Sequence, residues 1–314
     1  MSELFVFAQF PVSFTTIFTA VGLRRLKDTV LLIVLKLVGS LPLCVARALG
    51  ICVGWLMWCT GSRAAEVTKT NLALCYGALS DAERRELARQ SVLEAGRQAF
   101  EIPVVWRRSD AWVRRKVKAT HGGELLREAL ERKCGVIILT PHLGNWEVVP
   151  AIMTLYEHLA ILYQPPKGEV LHRYLQQVRH RPRTSLAPTN ARGVATLIKT
   201  LRAGQLAGIL PDQVPDPGNG GIEAPFCGES ALTMTLVHNL IQRTGCEVLL
   251  TYALPVKGGF EVFISRCDEQ IYSIDARESV AGLNTSVARA VSTAPAQYQW
   301  EYKRFKGREQ GEPY

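Results

Sequence analysis

Residues 136–149 read Val-Ile-Ile-Leu-Thr-Pro-His-Leu-Gly-Asn-Trp-Glu-Val-Val, and this stretch decides how the chain folds. It begins as a short apolar run rich in β-branched residues and breaks at Pro141 into a polar turn, which predicts a buried strand followed by a loop. In open α/β sheets, ligands bind in the loops beyond the carboxyl ends of the strands. His142, Asn145 and Glu147 therefore lie where a binding or catalytic site is expected.

The spacing of His142 and Glu147 determines whether their side chains can meet. On a continuous helix they would point about 140° apart, so the chain must turn between them. Gly144 provides the freedom for that turn, and Asn145 is a good N-cap that would place Glu147 in the first turn of a helix. The helix dipole favours an ionised carboxylate there, which can accept the Nδ1 proton of His142 and leave Nε2 as a base. The nucleophile would then be a hydroxyl of the substrate.

Two alternatives remain open at this point. Pro150 removes a backbone hydrogen bond and kinks any helix that contains it, so the helix would instead begin near Val149 and leave His142 and Glu147 in the loop. His142 is also compatible with an ordinary hydrogen-bonded loop histidine, and Glu147 with an acid at a helix N-terminus. The His-x-x-x-x-Glu pattern is weak by itself, so the choice between a catalytic pair and two structural residues depends on the rest of the sequence.

The composition limits the class of protein. The 314 residues are enough for one large α/β domain or two smaller ones, and the formal net charge of +9 predicts an acidic partner. Nucleic acid, an anionic membrane surface, an acidic carrier protein and a phosphorylated substrate all fit that charge. The eight cysteines include no Cys-x-x-Cys pair, which predicts reduced, buried thiols in a cytosol-facing protein. No metal-ligand spacing occurs, so we expect no metal site.

The N-terminal region is the most apolar part of the chain. Residues 4–23 carry no charge and are followed at once by basic residues, which places the following chain in the cytoplasm. A second apolar region, 29–61, is interrupted by Lys36 and Arg47, and each such charge at a bilayer centre costs roughly 2.5–3.5 kcal/mol. Residues 1–62 are therefore predicted to be membrane-attachment helices, and whether they span the membrane or only lie on it stays open.

The remainder of the chain divides by composition. The predicted parts are a basic helical connection at 63–120, an α/β domain at 121–308 and a C-terminal segment at 309–314. In the alternative division, 63–308 is a single domain. Strand and helix patterns alternate from residue 121 onward, which predicts an α/β fold with a mostly parallel, covered sheet.

A second proline break follows the strand predicted at 206–210. Pro211-Asp212-Gln213 repeats the arrangement of Pro141 and His142, a strand end that breaks at proline into a polar residue. Two such loops on one edge of a sheet face the same crevice, so Asp212 is a second candidate for the site.

The pattern beyond this loop predicts four further elements. Residues 215–228 are too long for a simple connection and are predicted to be a lid or substrate loop. A helix is predicted at 231–244, and the strands at 247–253 and 260–265 are predicted to form the edge of the sheet.

Two segments combine basic and aromatic residues. Residues 106–118 are either a solvated helix face or a contact with anionic headgroups. Residues 297–306 read Gln-Tyr-Gln-Trp-Glu-Tyr-Lys-Arg-Phe-Lys, an interleaving that would suit stacking on single-stranded nucleic acid. In the alternative interpretation, this tail packs its rings on the domain while its cations meet phosphates.

Four landmarks resemble, in the same order, the late (secondary) acyltransferases of lipid A biosynthesis, the lauroyl/myristoyl transferase family. They are Asn71-Leu72-Ala73-Leu74-Cys75-Tyr76, His142-Leu143-Gly144-Asn145-Trp146-Glu147, Pro211-Asp212-Gln213, and Gln297-Tyr298-Gln299-Trp300 with Lys303-Arg304-Phe305-Lys306. The resemblance implies a glycerolipid-acyltransferase-like fold in an inner-membrane enzyme with its catalytic domain on the cytoplasmic side. It also implies transfer of a fatty acyl chain from acyl carrier protein to a hydroxyl of a phosphorylated lipid A precursor, without metal or organic cofactor.

The resemblance also implies roles for individual residues. His142 is the base and Glu147 its partner, and the family's later arginine and its aspartate match Arg179 and Asp212. Because a thioester already carries a good leaving group, such an enzyme needs a base for the incoming hydroxyl and a clamp for the oxyanion. The predicted clamp is Arg179 or the backbone N–H groups around Gly144. The further candidates for substrate binding are Asn145, Arg304 and Lys306, of which the last two would neutralise lipid phosphates.

Two other functions remain as alternatives. Within acyl transfer, the acceptor would be another membrane lipid, such as a glycerophospholipid, an ornithine lipid or a phosphoinositol mannoside. The rival from another class is a basic, membrane-attached RNA- or DNA-binding protein that uses the tail. It leaves the polar loops at the strand ends unexplained, so we expect no nucleic-acid partner.

Overall fold

A computed structural model of the chain describes residues 28–166, 168–216, 218 and 220–314, so the predicted attachment segment before residue 28 lies outside the described residues. The first part is helical, with α1 (28–40), α2 (Leu43–Cys59), α3 (Arg63–Cys75), α4 (Asp81–Arg107) and α5 (Asp110–Lys116). Helix α4 begins with the capping box that Ser80 and Glu83 predict, in which each side chain accepts a hydrogen bond from the other residue's backbone N–H.

A seven-stranded sheet forms the centre of the remaining chain. Its strands, in chain order, are β1 (Val117–His121), β2 (Val136–Leu139), β3 (Leu159–Tyr163), β4 (Thr184–Pro188), β5 (Leu206–Ile209), β8 (Glu247–Val256) and β9 (Gly259–Arg266). Their order in space is β1-β9-β8-β2-β5-β3-β4, and every neighbouring pair is parallel except β8 with β9. The predicted α/β fold with a mostly parallel sheet is confirmed. The predicted boundary at residue 121 falls at the end of β1, which already belongs to this sheet.

Helices connect most of the strands. They are α6 (Gly123–Glu131), α7 (Val149–Met153), α8 (Glu169–Arg179), α9 (Ala191–Arg202) and α10 (Leu236–Thr244), and α11 (Ala276–Thr293) follows the last strand. Successive residues of β2 point to opposite faces, so Ile137 and Leu139 join one apolar cluster while Val136 and Ile138 join another. The sheet is therefore covered on both faces, as the near-continuous apolar run of β2 predicts.

Two predictions about the second half of the chain are wrong. Residues 221–234 form a two-stranded hairpin, β6 (Gly221–Phe226) and β7 (Glu229–Met234), where the sequence predicts the end of a loop and the start of a helix. The predicted edge strands lie inside the sheet, because β1 pairs with β9 on the outer side and β8 pairs with β2 on the inner side. The actual edges are β1 and β4.

Helices α1 and α2 combine close packing with an exposed apolar surface. Gly50 and Gly54 of α2 meet Gly96 of α4 so closely that a Cβ on Gly50 would lie 2.6 Å from the Gly96 carbonyl oxygen. Apolar side chains on the outer surface of both helices remain exposed, among them Val30, Ile33, Val34, Leu37, Leu49, Trp55 and Leu56. Within the described ranges no single helix is long and apolar enough to cross a membrane, and α2 with α3 passes that test only as a pair bent by 78°.

Candidate active site

The loop after β2 carries His142 to the carboxyl edge of the sheet. Gly144 has a positive φ of 59°, and a Cβ at this position would lie 2.1 Å from the Ala253 carbonyl oxygen of β8. The same oxygen accepts a hydrogen bond of 2.8 Å from the N–H of Asn145. Only glycine fits this close approach to the strand, so Gly144 provides the turn that the sequence predicts.

The segment after the turn follows the alternative in which the helix begins near Val149. Residues Trp146–Val148 form a short 3₁₀ helix, and α7 begins only at Val149, with Pro150 tolerated in its first turn. Asn145 occupies the N-cap position of this 3₁₀ helix and Glu147 lies in its first turn, as predicted, but the Asn145 side chain makes no capping hydrogen bond. Its Nδ2 instead donates to Glu101 Oε2 at 3.3 Å, within the protein interior.

The imidazole of His142 is held by Asp212, from the loop after β5. Nδ1 of His142 lies 2.8 Å from Asp212 Oδ1, and the backbone N–H of His142 donates to Oδ2 of the same carboxylate at 2.8 Å. Burial alone would raise the pKa of Asp212, but the charge and hydrogen bonds of His142 lower it below its usual value. An ionised Asp212 accepts the Nδ1 proton of His142, and in the neutral imidazole Nε2 is then the acceptor.

The predicted contact between Glu147 and His142 is wrong. The Glu147 carboxylate instead forms an ion pair with Arg179, at the end of α8, and the guanidinium lies over the rings of Trp106 and Tyr163. Local geometry explains the difference, since the turn at Gly144 leads into the 3₁₀ helix and separates the two side chains. Glu147 thus holds the predicted clamp, and Asp212 holds the predicted base.

A cavity of about 700 Å³ lies beside the contacts of His142 with Asp212 and of Glu147 with Arg179. His142, Glu147 and Arg179 line it, together with Gln213 and Lys306. Nε2 of Gln213 lies 3.3 Å from Nε2 of His142 and donates to Gln299 Oε1 at 3.0 Å.

The floor of the cavity is apolar. Ile138, Gly208 and Ile161 lie in register on the neighbouring strands β2, β5 and β3, and all three line the cavity with Val149 and Leu162. Because Gly208 has no side chain, the middle strand leaves room above the sheet. The cavity can therefore hold an apolar chain below a polar mouth that carries the histidine.

Backbone N–H groups around Gly144 do not form the predicted clamp. The N–H of Gly144 donates to the Gln297 carbonyl at 3.0 Å, and the N–H of Leu143 donates to the Pro141 carbonyl at 2.7 Å. With the N–H of Asn145 bonded to β8, these donors already have partners within the protein. Arg179 remains the predicted clamp residue that lines the cavity.

Residues 20–307 match the family described as bacterial lipid A biosynthesis acyltransferase. The chain belongs to this family. It is therefore an enzyme that transfers acyl groups in lipid A biosynthesis, as the four sequence landmarks predict. The match begins within the N-terminal apolar region and extends to the end of the basic, aromatic tail.

Individual relatives of this acyltransferase give the same result. The lipid A biosynthesis palmitoleoyltransferase of Escherichia coli K12 is 26% identical over 277 residues, which cover 87% of this chain and 89% of the relative. The lauroyltransferase of the same organism is 26% identical over 282 residues, covering 89% and 91%. A lipid A biosynthesis acyltransferase of Haemophilus influenzae is 24% identical over 276 residues, covering 85% and 86%.

The tail of the acyltransferase packs inward, and the predicted role of Arg304 in binding lipid phosphate is wrong. Arg304 is only 1% exposed and donates to the Leu232 carbonyl and to Thr233 Oγ1. Trp300 and Phe305 are fully buried beside it, which leaves these rings no surface for stacking on nucleic acid. Lys306 differs, because it lines the cavity with its ammonium 5.2 Å from the Tyr302 ring centroid.

A buried polar network behind the catalytic loop was not predicted. Arg47 of α2 forms an ion pair with Glu101 of α4, and the other oxygen of Glu101 accepts from Asn145. Arg47 also donates to the carbonyls of Val256 and Gly259, in the turn between β8 and β9. A buried charge needs a partner, so an arginine within an otherwise apolar helix was the available sequence signal. Among the described residues, no cluster of three or more His, Cys, Asp or Glu side chains could hold a metal ion.

Proposed function

We propose that this enzyme transfers a fatty acyl chain from acyl carrier protein to a hydroxyl of a phosphorylated lipid A precursor, with His142 as the general base. The observation that supports this most directly is the contact between His142 Nδ1 and Asp212, which favours the tautomer with Nε2 as the acceptor in a side chain that lines the cavity. The E. coli relatives are named for transferring lauroyl and palmitoleoyl groups, which agrees with an acyl chain as the transferred group.

The reaction needs only one base. Nε2 of His142 takes the proton of the acceptor hydroxyl, and the hydroxyl oxygen attacks the thioester carbonyl carbon. The tetrahedral intermediate then collapses, the carbon–sulfur bond breaks, and the thiolate leaves with the proton returned by the imidazolium. Asp212 holds the tautomer that starts this cycle and stabilises the imidazolium that forms during it.

Charge on the intermediate oxygen needs donors that are already in place. Arg179 lines the cavity and is held by Glu147, whereas the amide N–H groups of Gln213 already meet His142 Nε2 and Gln299 Oε1. Preorganised donors of this kind stabilise the oxyanion without having to move during the reaction. We therefore assign Arg179 to the oxyanion and the apolar floor of the cavity to the acyl chain.

Purified enzyme in detergent micelles would test this proposal directly. We expect the mass of a phosphorylated lipid A precursor to increase by one acyl chain when acyl-loaded carrier protein is supplied. Matched reactions would contain acyl-coenzyme A in place of the carrier protein, or a glycerophospholipid in place of the precursor. Acylation of the glycerophospholipid alone would contradict the assigned acceptor, and equal rates with both donors would contradict dependence on the carrier protein.

Membrane attachment forms part of the same proposal. The exposed apolar side chains of α1 and α2 form a surface suited to lying on a bilayer, and their neighbours include the basic segment 106–118. We place this surface on the inner membrane, with the catalytic domain on its cytoplasmic side. In this position the cavity would receive its lipid acceptor from the bilayer and its acyl donor from the cytoplasm.

Charged substitutions on α1 and α2 should weaken this attachment. Leu37 and Trp55 are 64% and 57% exposed, so Leu37→Glu with Trp55→Glu should leave the fold intact while placing two carboxylates against anionic lipid. We expect a severalfold smaller fraction of the protein to cosediment with anionic vesicles. Ile274→Glu is the matched control, since Ile274 is 88% exposed and lies outside these helices. Equal loss in the control would contradict a specific membrane surface.

A further inference from the structure

A second cavity lies beside the active site, on the side of α1 and α2. It measures about 600 Å³ and lies between the end of α4, the start of α5 and the end of α8. Arg181 lines both cavities, and the Trp106 ring lies between Tyr174 of the second cavity and Arg179 of the first. The second cavity is thus a direct neighbour of the catalytic one.

Three side chains that line this cavity each carry a buried hydrogen-bond donor with no partner among the described residues. The donors are Trp106 Nε1, Arg108 Nε and the hydroxyl of Tyr174, a side chain that is only 6% exposed. Buried polar groups are almost always paired, and leaving one unpaired costs about 1–3 kcal/mol. Because indole and guanidinium groups can only donate, a ligand that satisfies them must present acceptors.

The side-chain charges around the cavity favour an anionic ligand. Arg107 and Arg108 have no carboxylate partner within the described ranges, although Arg108 donates to the Leu41 carbonyl at 3.4 Å and lies over the Trp112 ring. The carboxylate that reaches the cavity, Asp110, is neutralised by its ion pair with Arg181. Two uncompensated guanidinium groups beside unpaired donors suit a phosphate, whose oxygens accept several hydrogen bonds at once.

The position of the cavity indicates which phosphate it would receive. A Cβ on Gly39 of α1 would lie 2.5 Å from the Arg107 side chain, and Arg108 bonds to the chain between α1 and α2. The cavity therefore opens next to the helices whose outer surface is apolar. A phosphate attached to a lipid headgroup would reach this place while its lipid remains in the bilayer.

We propose that the second cavity binds a phosphate of the glycolipid acceptor and so places the acceptor hydroxyl at the active site. This inference rests on the proposed function for its choice of ligand. The phosphate held by Arg107 and Arg108 anchors the acceptor beside Arg181, and the sugar then extends past Trp106 towards His142.

Substitution of both arginines tests the site. Arg107→Gln with Arg108→Gln removes two charges, and Arg85→Gln with Arg115→Gln removes two charges from exposed positions outside the cavity. We expect the first variant to bind the phosphorylated precursor in non-ionic micelles at least about tenfold more weakly than wild type. The control variant should bind it as wild type does. Tyr174→Phe, which keeps the ring, should weaken binding by a smaller factor.

Removing the phosphate from the lipid completes the test. Wild type and the cavity variant should bind a dephosphorylated precursor equally, because this lipid lacks the phosphate that the two arginines would contact. Equal binding of both lipids by wild type would overturn the proposal. It would also be overturned if millimolar inorganic phosphate failed to displace the phosphorylated lipid. A kinetic defect of the variant confined to the KM of the acyl donor would also overturn it and would assign the cavity to the carrier protein.

The outcomes for the site and for the proposed function can be separated. If wild type binds the phosphorylated lipid more tightly but transfers no acyl chain to it, the phosphate site stands and the proposed function falls. If wild type acylates both lipids with the same KM, the proposed function stands and the phosphate site falls.

Discussion

Replacement of His142 by alanine is expected to lower kcat by about 10²–10⁴-fold, the usual contribution of a general base. The KM values of donor and acceptor should change little, because the imidazole acts on the hydroxyl proton and not on the bulk of either substrate. Acyl transfer would be measured with purified protein whose fold has been checked by circular dichroism. His121→Ala is the control, since His121 is an exposed histidine on β1.

A folded His142→Ala enzyme with near wild-type turnover would exclude His142 as the base. In that case the contact between His142 and Asp212 would be a structural hydrogen bond at the edge of the sheet. The apolar cavity would still require an explanation, and a base would have to come from another residue that lines it.

Replacement of Asp212 by asparagine is expected to lower kcat by a similar factor. Asparagine has one acceptor oxygen, whereas the two oxygens of Asp212 serve both the backbone N–H and Nδ1 of His142. It also carries no charge to stabilise the imidazolium. Because Asp212 acts through the imidazole, the double variant with His142→Ala should be little slower than His142→Ala alone.

Glu147→Gln provides the contrasting measurement. Glu147 holds Arg179 and not His142, so its loss should slow the residual reaction of His142→Ala by a further factor. Additive losses for Asp212→Asn and non-additive losses for Glu147→Gln would reverse the two assignments. Combining each substitution with His142→Ala thus shows which carboxylate acts through the imidazole.

The stability difference between wild type and Asp212→Asn should depend on pH in a defined direction. The pKa of Asp212 is lower in the folded protein than its ordinary value, so ionised Asp212 stabilises the fold at pH values above that ordinary value. This stabilisation is lost as the pH falls through the lowered pKa. The Tm difference between wild type and Asp212→Asn should therefore be constant near neutral pH and become smaller in acid, below about pH 4.

The catalytic loop could be predicted because its signals are local. The apolar run of β2, the break at Pro141 and the glycine at 144 each act within a few residues, and the structure has all three where the sequence indicates. The matching break at Pro211 also placed Asp212 at the same edge of the sheet. Strand order, with β5 directly beside β2, then brings Asp212 to His142.

The partner of His142 could not be predicted because it depends on distant residues. The direction of the chain after Gly144 is set by contact with Ala253, more than a hundred residues away, and that direction turns Glu147 towards Arg179. Strand β1 was missed for a related reason. Its residues form a short segment after a basic helix, and their strand partner within the described ranges is the distant β9.

The hydrogen bonds between the catalytic loop and the tail have a consequence for the order of synthesis. The Gly144 N–H donates to the Gln297 carbonyl, and the Gln299 N–H donates to the His142 carbonyl at 3.0 Å. The last strand of the sheet ends at Arg266, so a growing chain contains every strand before it contains these partners. A ribosome must add residues 297–299 before the histidine loop can acquire its final bonds. Every strand of the sheet is therefore translated before the residues that complete the hydrogen bonds of the histidine loop.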